Sequence, residues 1–230
     1  MYSIFLQTAT ATLQETISTE VTTKTLNIWD LAVKGGWIMI LLGVLSVLVI
    51  YIFVDRYIAL NKALKQDTTV FMDRIKDCIH NSDLQGAKNI CEANNSPIGR
   101  MIGKGLARLG RPLNDINQAV ENVGKMEIAK MESGVSMLAT ISNLAPSIGF
   151  LGTVTGMVRA FFDMANAGNN IDIQLLSSGI YEAMVTTVGG LIVGLVASFL
   201  YSIIVGKINK MVFILESRTM EFMDLLHEPA

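Results

Sequence analysis

Residues 35–54, GGWIMILLGVLSVLVIYIFV, run without a charge between Lys34 and the pair Asp55-Arg56. At about 1.5 Å of rise per helical residue, such a run covers the ~30 Å hydrocarbon layer of a bilayer. Farther along, the stretches from Ser133 to Val158 and from Ala183 to Gly206 are also free of charge and longer still. All three exceed the length at which a buried helix of a soluble protein is a serious rival. The first lies too far from the start to be the apolar core of a signal peptide, and no small-residue cleavage site follows it. The expected fold class is an all-α membrane protein with three transmembrane helices, spans two and three extending into a helical cytoplasmic domain.

Composition agrees. Of 230 residues, 51% are hydrophobic and 17% charged, against about 25% charged in soluble domains. The deficit sits in the long runs. A net charge of -2 argues against nucleic acid as a partner.

Lysine and arginine set the orientation. The stretch from Asp55 to Glu132 holds 12 of the 18, and the tail after span three adds Lys207, Lys210 and Arg218. Between spans two and three only Arg159 occurs, beside Asp163, Asp172 and Glu182, and the segment 1–34 carries only Lys24 and Lys34. The long loop and the tail are therefore expected in the cytoplasm. The expected division is an outer segment 1–34, span one 35–54, a cytoplasmic helical loop 55–132, span two 133–162, a short outer link 163–175, span three 176–206, and a cytoplasmic helix 207–230.

The loop reads as helical throughout. Asp67 can cap a helix carrying Val70, Phe71, Ile75 and Ile79, and Ser82 a shorter one ending near Ala93. Asn94-Asn95-Ser96-Pro97 and Gly110-Arg111-Pro112 are turns. Ile116, Val120, Val123 and Met126 keep helical spacing with no proline before span two, which predicts one unbroken helix from about Leu113 into the membrane. Beyond span three, Ile208, Met211, Val212, Leu215, Phe222 and Leu226 form an apolar stripe. Either the loop helices or another copy of the chain could cover it. Ile4, Phe5 and Leu6, followed by many threonines, suggest a surface-lying helix near the start. Cys78, His80 and Cys91 lack the fourth ligand and paired spacing of a metal set and read as reduced thiols and a lone histidine. No cofactor is called for.

The spans differ in chemistry. Span one is almost purely aliphatic and could face lipid all round. Span two carries Ser136, Thr140, Asn143 and Ser147 on one strip, and Ser142, Pro146, Gly149 and Thr153 on another. Two polar strips call for protein or water on both. In span three, Gly190, Gly194, Ser198, Ser202 and Gly206 recur at fours, a spacing that lets helix backbones approach within lipid; packing within the chain and packing with a partner helix both fit. Gly152 and Gly156 form a further close-packing element. Thr186 and Thr187 supply two adjacent hydroxyls that packing does not require.

No Asp, Glu, Lys, Arg or His lies within the core of any span; Glu182 comes nearest, about two turns into the third helix from its outer end. Hydroxyls relay protons but do not store them near neutral pH. If protons cross here, a titratable group must come from another polypeptide. The sequence lacks H-E-x-x-H, G-x-S-x-G and the P-loop, so no enzyme is expected.

Leu138-Ala139-Thr140-Ile141, Ala145-Pro146 and Gly149-Phe150-Leu151-Gly152-Thr153-Val154-Thr155-Gly156-Met157, with Glu182-Ala183-Met184-Val185-Thr186-Thr187-Val188-Gly189-Gly190-Leu191, resemble the two signatures of the ExbB/TolQ/MotA proton-channel family. The resemblance covers roughly residues 120 to 205. It departs at Thr155, where the family usually has tryptophan, and just before Thr187, where the family has a single small residue. It implies a multi-pass protein of the bacterial inner membrane, amino terminus periplasmic and carboxy terminus cytoplasmic. It further implies a homo-oligomer, a pentamer, around the helix of an ExbD-like or TolR-like partner whose membrane aspartate is the missing acid. By position, Thr153 and Thr187 match pore-facing threonines, with Thr186 beside them. Glu182 matches the acid near the outer mouth, and Pro146 the proline that shapes span two. Proton flow would then drive a TonB-like or TolA-like protein that spans the periplasm. One charge crossing 100 mV supplies about 2.3 kcal/mol, a workable step for such a motor. Three spans argue against the four-span MotA type, and the extension before span one favours the ExbB branch over TolQ. Basic residues at the inner span ends suit phospholipid headgroups.

Overall fold

A computed structural model describes residues 35–65, 68–166 and 173–227. The readings on segment 1–34, on the Asp67 cap and on residues 167–172 of the link between spans two and three lie outside them. The described elements are α1 (Gly36–Leu64), α2 (Thr68–His80), α3 (Leu84–Ala93), α4 (Pro97–Leu106), α5 (Leu113–Glu132), α6 (Val135–Asn166) and α7 (Ile173–His227). The described residues contain no strand, and α1, α6 and α7 are long and apolar enough to cross a membrane. The protein is an all-α, multi-pass membrane protein.

Helix α1 does not stop where its apolar run stops. No glycine or proline follows Gly43, so the helix passes through Asp55-Arg56 to Leu64, and Leu60 is buried against Val135, Ile204 and Ile208. Nor does it face lipid all round. Ile38, Leu42 and Val49, at 1–5% exposure, pack on Leu138, Ile141, Ala145 and Ala197 of α6 and α7. Trp37, Ile40, Val44, Val47 and Tyr51 on its other sides are uncovered by the chain.

Outside the membrane, α2 buries Phe71, Met72 and Ile75, while Val70, expected in that stripe, is exposed. The cap of α3 is Asp83, one residue beyond the expected Ser82: its Oδ1 accepts from the Gly86 amide at 2.8 Å. Ser82 instead takes a left-handed turn conformation at φ 57°. Helix α4 follows the Asn94–Pro97 turn; Ser96 caps it by accepting from the Gly99 amide at 3.0 Å, with Pro97 in the first turn. Three glycines weaken its intrinsic propensity, and the reading of the loop as helical throughout gave this helix no bounds of its own. Burial of seven of its ten residues holds it.

The expected continuous rod from Leu113 is interrupted. Between α5 and α6, Ser133 turns extended (ψ 128°) and Gly134 adopts φ 79°, a region open to glycine. Of the stripe read on α5, Ile116 and Val120 are buried, while Met126 is exposed.

Helix α7 does run on unbroken from membrane to domain. Met211, Leu215 and Phe222, at 0–2% exposure, join Phe71, Met72, Ile75, Ile102, Leu106, Ile116 and Val120 in one core. The chain's own loop helices thus cover the stripe. Phe222 lies so close to α4 that a methyl on Gly105 would fall 2.6 Å from its ring.

One ion network ties the domain to the foot of the spans. Glu127, 4% exposed, accepts from Arg100 Nη2 at 2.5 Å and from Lys130 Nζ at 2.8 Å. Burial is the largest influence on this carboxyl and pushes its pKa up. The two hydrogen bonds and the charges behind them outweigh burial and hold it below the usual carboxylate range.

Candidate functional site

The membrane part is organised by one seam. Pro146, Gly149, Gly152, Gly156 and Ala160 of α6 meet Gly194, Gly190, Thr186, Ala183 and Gly179 of α7, running antiparallel. A methyl on Gly190 would lie 2.6 Å from the Ala145 carbonyl oxygen, and one on Gly194 2.6 Å from the Pro146 ring. Small residues let the two backbones touch, as packing within lipid demands.

The four-residue run in α7 does not stay on this seam. Four residues advance a helix by about 40° beyond a full turn, so the run winds away from its neighbour. Gly190 and Gly194 are buried in the seam, Ser198 and Ser202 are exposed, and nothing lies within 4 Å of a methyl placed on Gly206. The seam is continued below by Ala197, Ile204 and Ile208, all buried. Gly152, Gly156, Gly190 and Gly194 thus pack in the seam, while Ser198 and Ser202 lie outside it, Ser202 Oγ donating to the Ser198 carbonyl at 3.0 Å.

Thr187 Oγ1 donates to the Gly149 carbonyl at 3.1 Å. In a helical ladder that same carbonyl serves the amide of Thr153, four residues on, so the two threonines meet at one oxygen. Thr153 Oγ1 donates to the Phe150 carbonyl at 2.6 Å. Both are half-buried. Gly189, two residues past Thr187 and hence on the opposite side of α7, packs on Met39 and Leu42 of α1. On α6, Thr155 faces α1 and Thr153 is turned away in the same manner. Thr153 and Thr187 therefore share the face of the α6–α7 pair opposite α1.

A separate polar strip of α6, about a quarter turn or more around the helix from Thr153, is left uncovered by the chain. Thr140 Oγ1 donates to Ser136 O at 3.0 Å, Asn143 Nδ2 to Ala139 O at 3.2 Å, and Ser147 Oγ to Asn143 O at 3.0 Å. Each of these hydrogen bonds lies at the exposed surface of α6. Pro146 lacks the amide that would bond the Ser142 carbonyl. That carbonyl lies beside Gly194, 3.0 Å from a methyl placed there.

Thr186 and Glu182 go elsewhere. Thr186 is 2% exposed, and its Oγ1 donates to Ala183 O at 2.7 Å while also reaching the Gly149 carbonyl at 3.5 Å. With Glu182 it lines a cavity of about 90 Å³ on the α1 side, completed by Trp37, Ile38, Thr155 and Arg159. The volume suits about three waters. Sequence reasoning missed Thr155 and Arg159 as members of this cluster. Their spacing of four, matched by Glu182 and Thr186, was the available signal.

Residues 93–217, more than half of the chain, match the MotA/TolQ/ExbB proton channel family. The chain belongs to this family. An ExbB-like biopolymer transport protein of Synechocystis sp. is 32% identical over 186 residues, 80% of this chain and 72% of that protein. The Tol-Pal system protein TolQ of Haemophilus influenzae is 32% identical over 104 residues, 45% of each chain. The biopolymer transport protein ExbB of Xanthomonas campestris is 31% identical over 97 residues, 42% of this chain and 38% of that protein. In this family member, the two stretches that carried the resemblance are the two sides of the α6–α7 seam.

Proposed function

We propose that this chain is the channel subunit of a proton-driven motor in the bacterial inner membrane. Several copies, five by the resemblance, would surround the transmembrane helix of an ExbD-like or TolR-like protein that carries the titratable aspartate. In this arrangement α1 is the outer anchor and the Thr153–Thr187 face lines the pore. Glu182, which the resemblance matches to the acid near the outer mouth, sits on the α1 side of the pair, and the carbonyl that Pro146 frees lies in the seam beside Gly194. Segment 1–34 lies in the periplasm, and the 55–132 segment and the tail lie in the cytoplasm, as the lysine and arginine distribution supports. The work is delivered to a TonB-like protein for uptake across the outer membrane. The TolQ relative gives the second reading, a TolR-like partner and a TolA-like output.

The observation that carries this reading is the Thr187 hydroxyl bonded to the Gly149 carbonyl, with half-buried Thr153 beside it on the face of the helix pair turned away from α1. The test is proton flux into liposomes holding the full chain co-purified with its small partner. Thr187→Val and Thr153→Val should each lower flux by about tenfold or more, below the loss of ~100-fold typical when a proton-transferring group is removed from an active site, with assembly unchanged. Full flux in both variants would exclude the pore assignment. Identifying the co-purified partner separates the TonB reading from the Tol reading.

A further inference from the structure

The foot of the spans holds a cavity of about 350 Å³ where α1, the start of α4 and the end of α5 meet. Its volume falls within the roughly 300–1,000 Å³ of small-ligand sites. Arg56, Lys62, Arg100 and Lys130 line it, with Glu127 the one acidic lining residue, and Asn95 and Pro97 bring the amino-terminal end of α4 to its wall. Glu127 is taken up by Arg100 and Lys130. Arg56 reaches across from α1: its Nη1 donates to the Lys130 carbonyl at 3.4 Å, and its Nε is paired at 3.4 Å with the exposed Asp55. Four cations thus face one buried carboxylate and one surface carboxylate, beside a helix amino terminus that favours anions.

The height of the cavity in the membrane follows from the sequence. Arg56 comes just after the apolar run of α1 ends at Val54, and Lys130 just before the uncharged run of span two begins at Ser133. Both place the cavity at headgroup level. Gly134 bends the chain here, and a methyl on it would lie 3.6 Å from the Arg56 guanidinium. The lining also carries alkyl stems and Ala59, Ala63 and Met131, suited to the upper part of an acyl chain.

We propose that this cavity binds the phosphate of an anionic phospholipid headgroup, with Arg56 and Lys62 as the residues that select its charge. The inner leaflet as the source rests on the proposed orientation; the site itself does not depend on the pore. The lipid would pin α1 to the α5–α6 break, at the joint between the spans and the domain that the proposed motor must hold still.

The experiment uses the purified full chain in neutral detergent, with three probes: dioleoylphosphatidylglycerol, dioleoylphosphatidylcholine and inorganic phosphate. Native mass spectrometry counts retained lipid, and thermal unfolding reads stabilisation. Phosphatidylglycerol should be retained and should stabilise in preference to phosphatidylcholine. Arg56→Gln and Lys62→Gln should each weaken it about fivefold, the worth of one basic residue near an anionic surface. Lys125→Gln, whose side chain is 69% exposed and paired with Glu121 on the same helix, should leave it unchanged. Equal retention of the two lipids by the unmodified chain would overturn the proposal, and this result needs no variant to fold. Stabilisation by inorganic phosphate equal to that by phosphatidylglycerol at matched concentration would keep the anion site but overturn the lipid as its occupant. Because no proton flux is measured, failure here is distinct from failure of the channel reading.

Discussion

Thr186 and Thr187 are neighbours in sequence, yet they point to different places. One is buried beside Gly152, facing the small cavity under α1, and the other bonds a carbonyl on the face turned away from α1. One residue of helix is about 100° of rotation, enough to separate a hydroxyl that fills a seam from one that borders a path. Two other residues carry predictions of this size. Glu127 has a lowered pKa, so its ion network is fully formed at neutral pH and is lost as pH falls through that lowered value. A profile of unfolding temperature against pH should therefore show an acid limb that begins in the usual carboxylate range and continues below it. Glu127→Gln should remove that limb and cost about 1–3 kcal/mol at neutral pH, the range for hydrogen bonds to charged groups. Cys91 is buried at 5% exposure, and burial, with the nearby Cys78 and Glu92, pushes its pKa to about 12. Iodoacetamide at mildly alkaline pH should label Cys78 in the native protein and reach Cys91 only on unfolding.

At the level of elements, the α6–α7 seam was legible as small residues, while its partner was not. The run at fours from Gly190 to Gly206 marked a close approach in the sequence. A spacing of four turns slowly around its helix, so only the tertiary contacts show where the run leaves the seam. Gly190→Ala should separate the helix pair, because backbone atoms on α6 leave its methyl no room. The expected loss, about 1–3 kcal/mol as for overpacked sites, would be read as proteolytic sensitivity in detergent. Gly206→Ala, in open space, should cost nothing to the single chain. Gly134 marks the second lesson of this kind. A glycine within an apolar run is read as tolerated in a membrane helix, and its left-handed conformation is set by how α5 must dock on α4. Gly134→Ala should cost about 1–2 kcal/mol for the forced backbone, measured by thermal unfolding. The bounds of α4 were hidden for the opposite reason, since burial offsets a poor local propensity.

For the whole molecule, the membrane bundle and the domain of loop helices are joined through α7, whose foot sits in the domain core. Phe222→Ala should therefore melt the domain first, at about 3–5 kcal/mol for a fully buried aromatic. Circular dichroism would show loss of α2–α4 while the span helicity persists. The strip with Thr140, Asn143 and Ser147 lies outside both cores, and within a bilayer an uncovered polar strip calls for a partner or water. Thr155 stands where the family resemblance expects tryptophan, and an indole is large enough to project into the space that Glu182, Arg159 and Trp37 now surround. By itself, the sequence determined three spans, the absence of a titratable group at their centre, and the family. These are sums over long stretches or strings of adjacent residues, and they survive any error in local geometry. Only the tertiary structure decided which carbonyl the Thr187 hydroxyl reaches across the seam, which glycines are used within the chain, and which four cations surround one cavity. Those depend on rotations of a residue or two between helices far apart in sequence, and no local pattern carries that information.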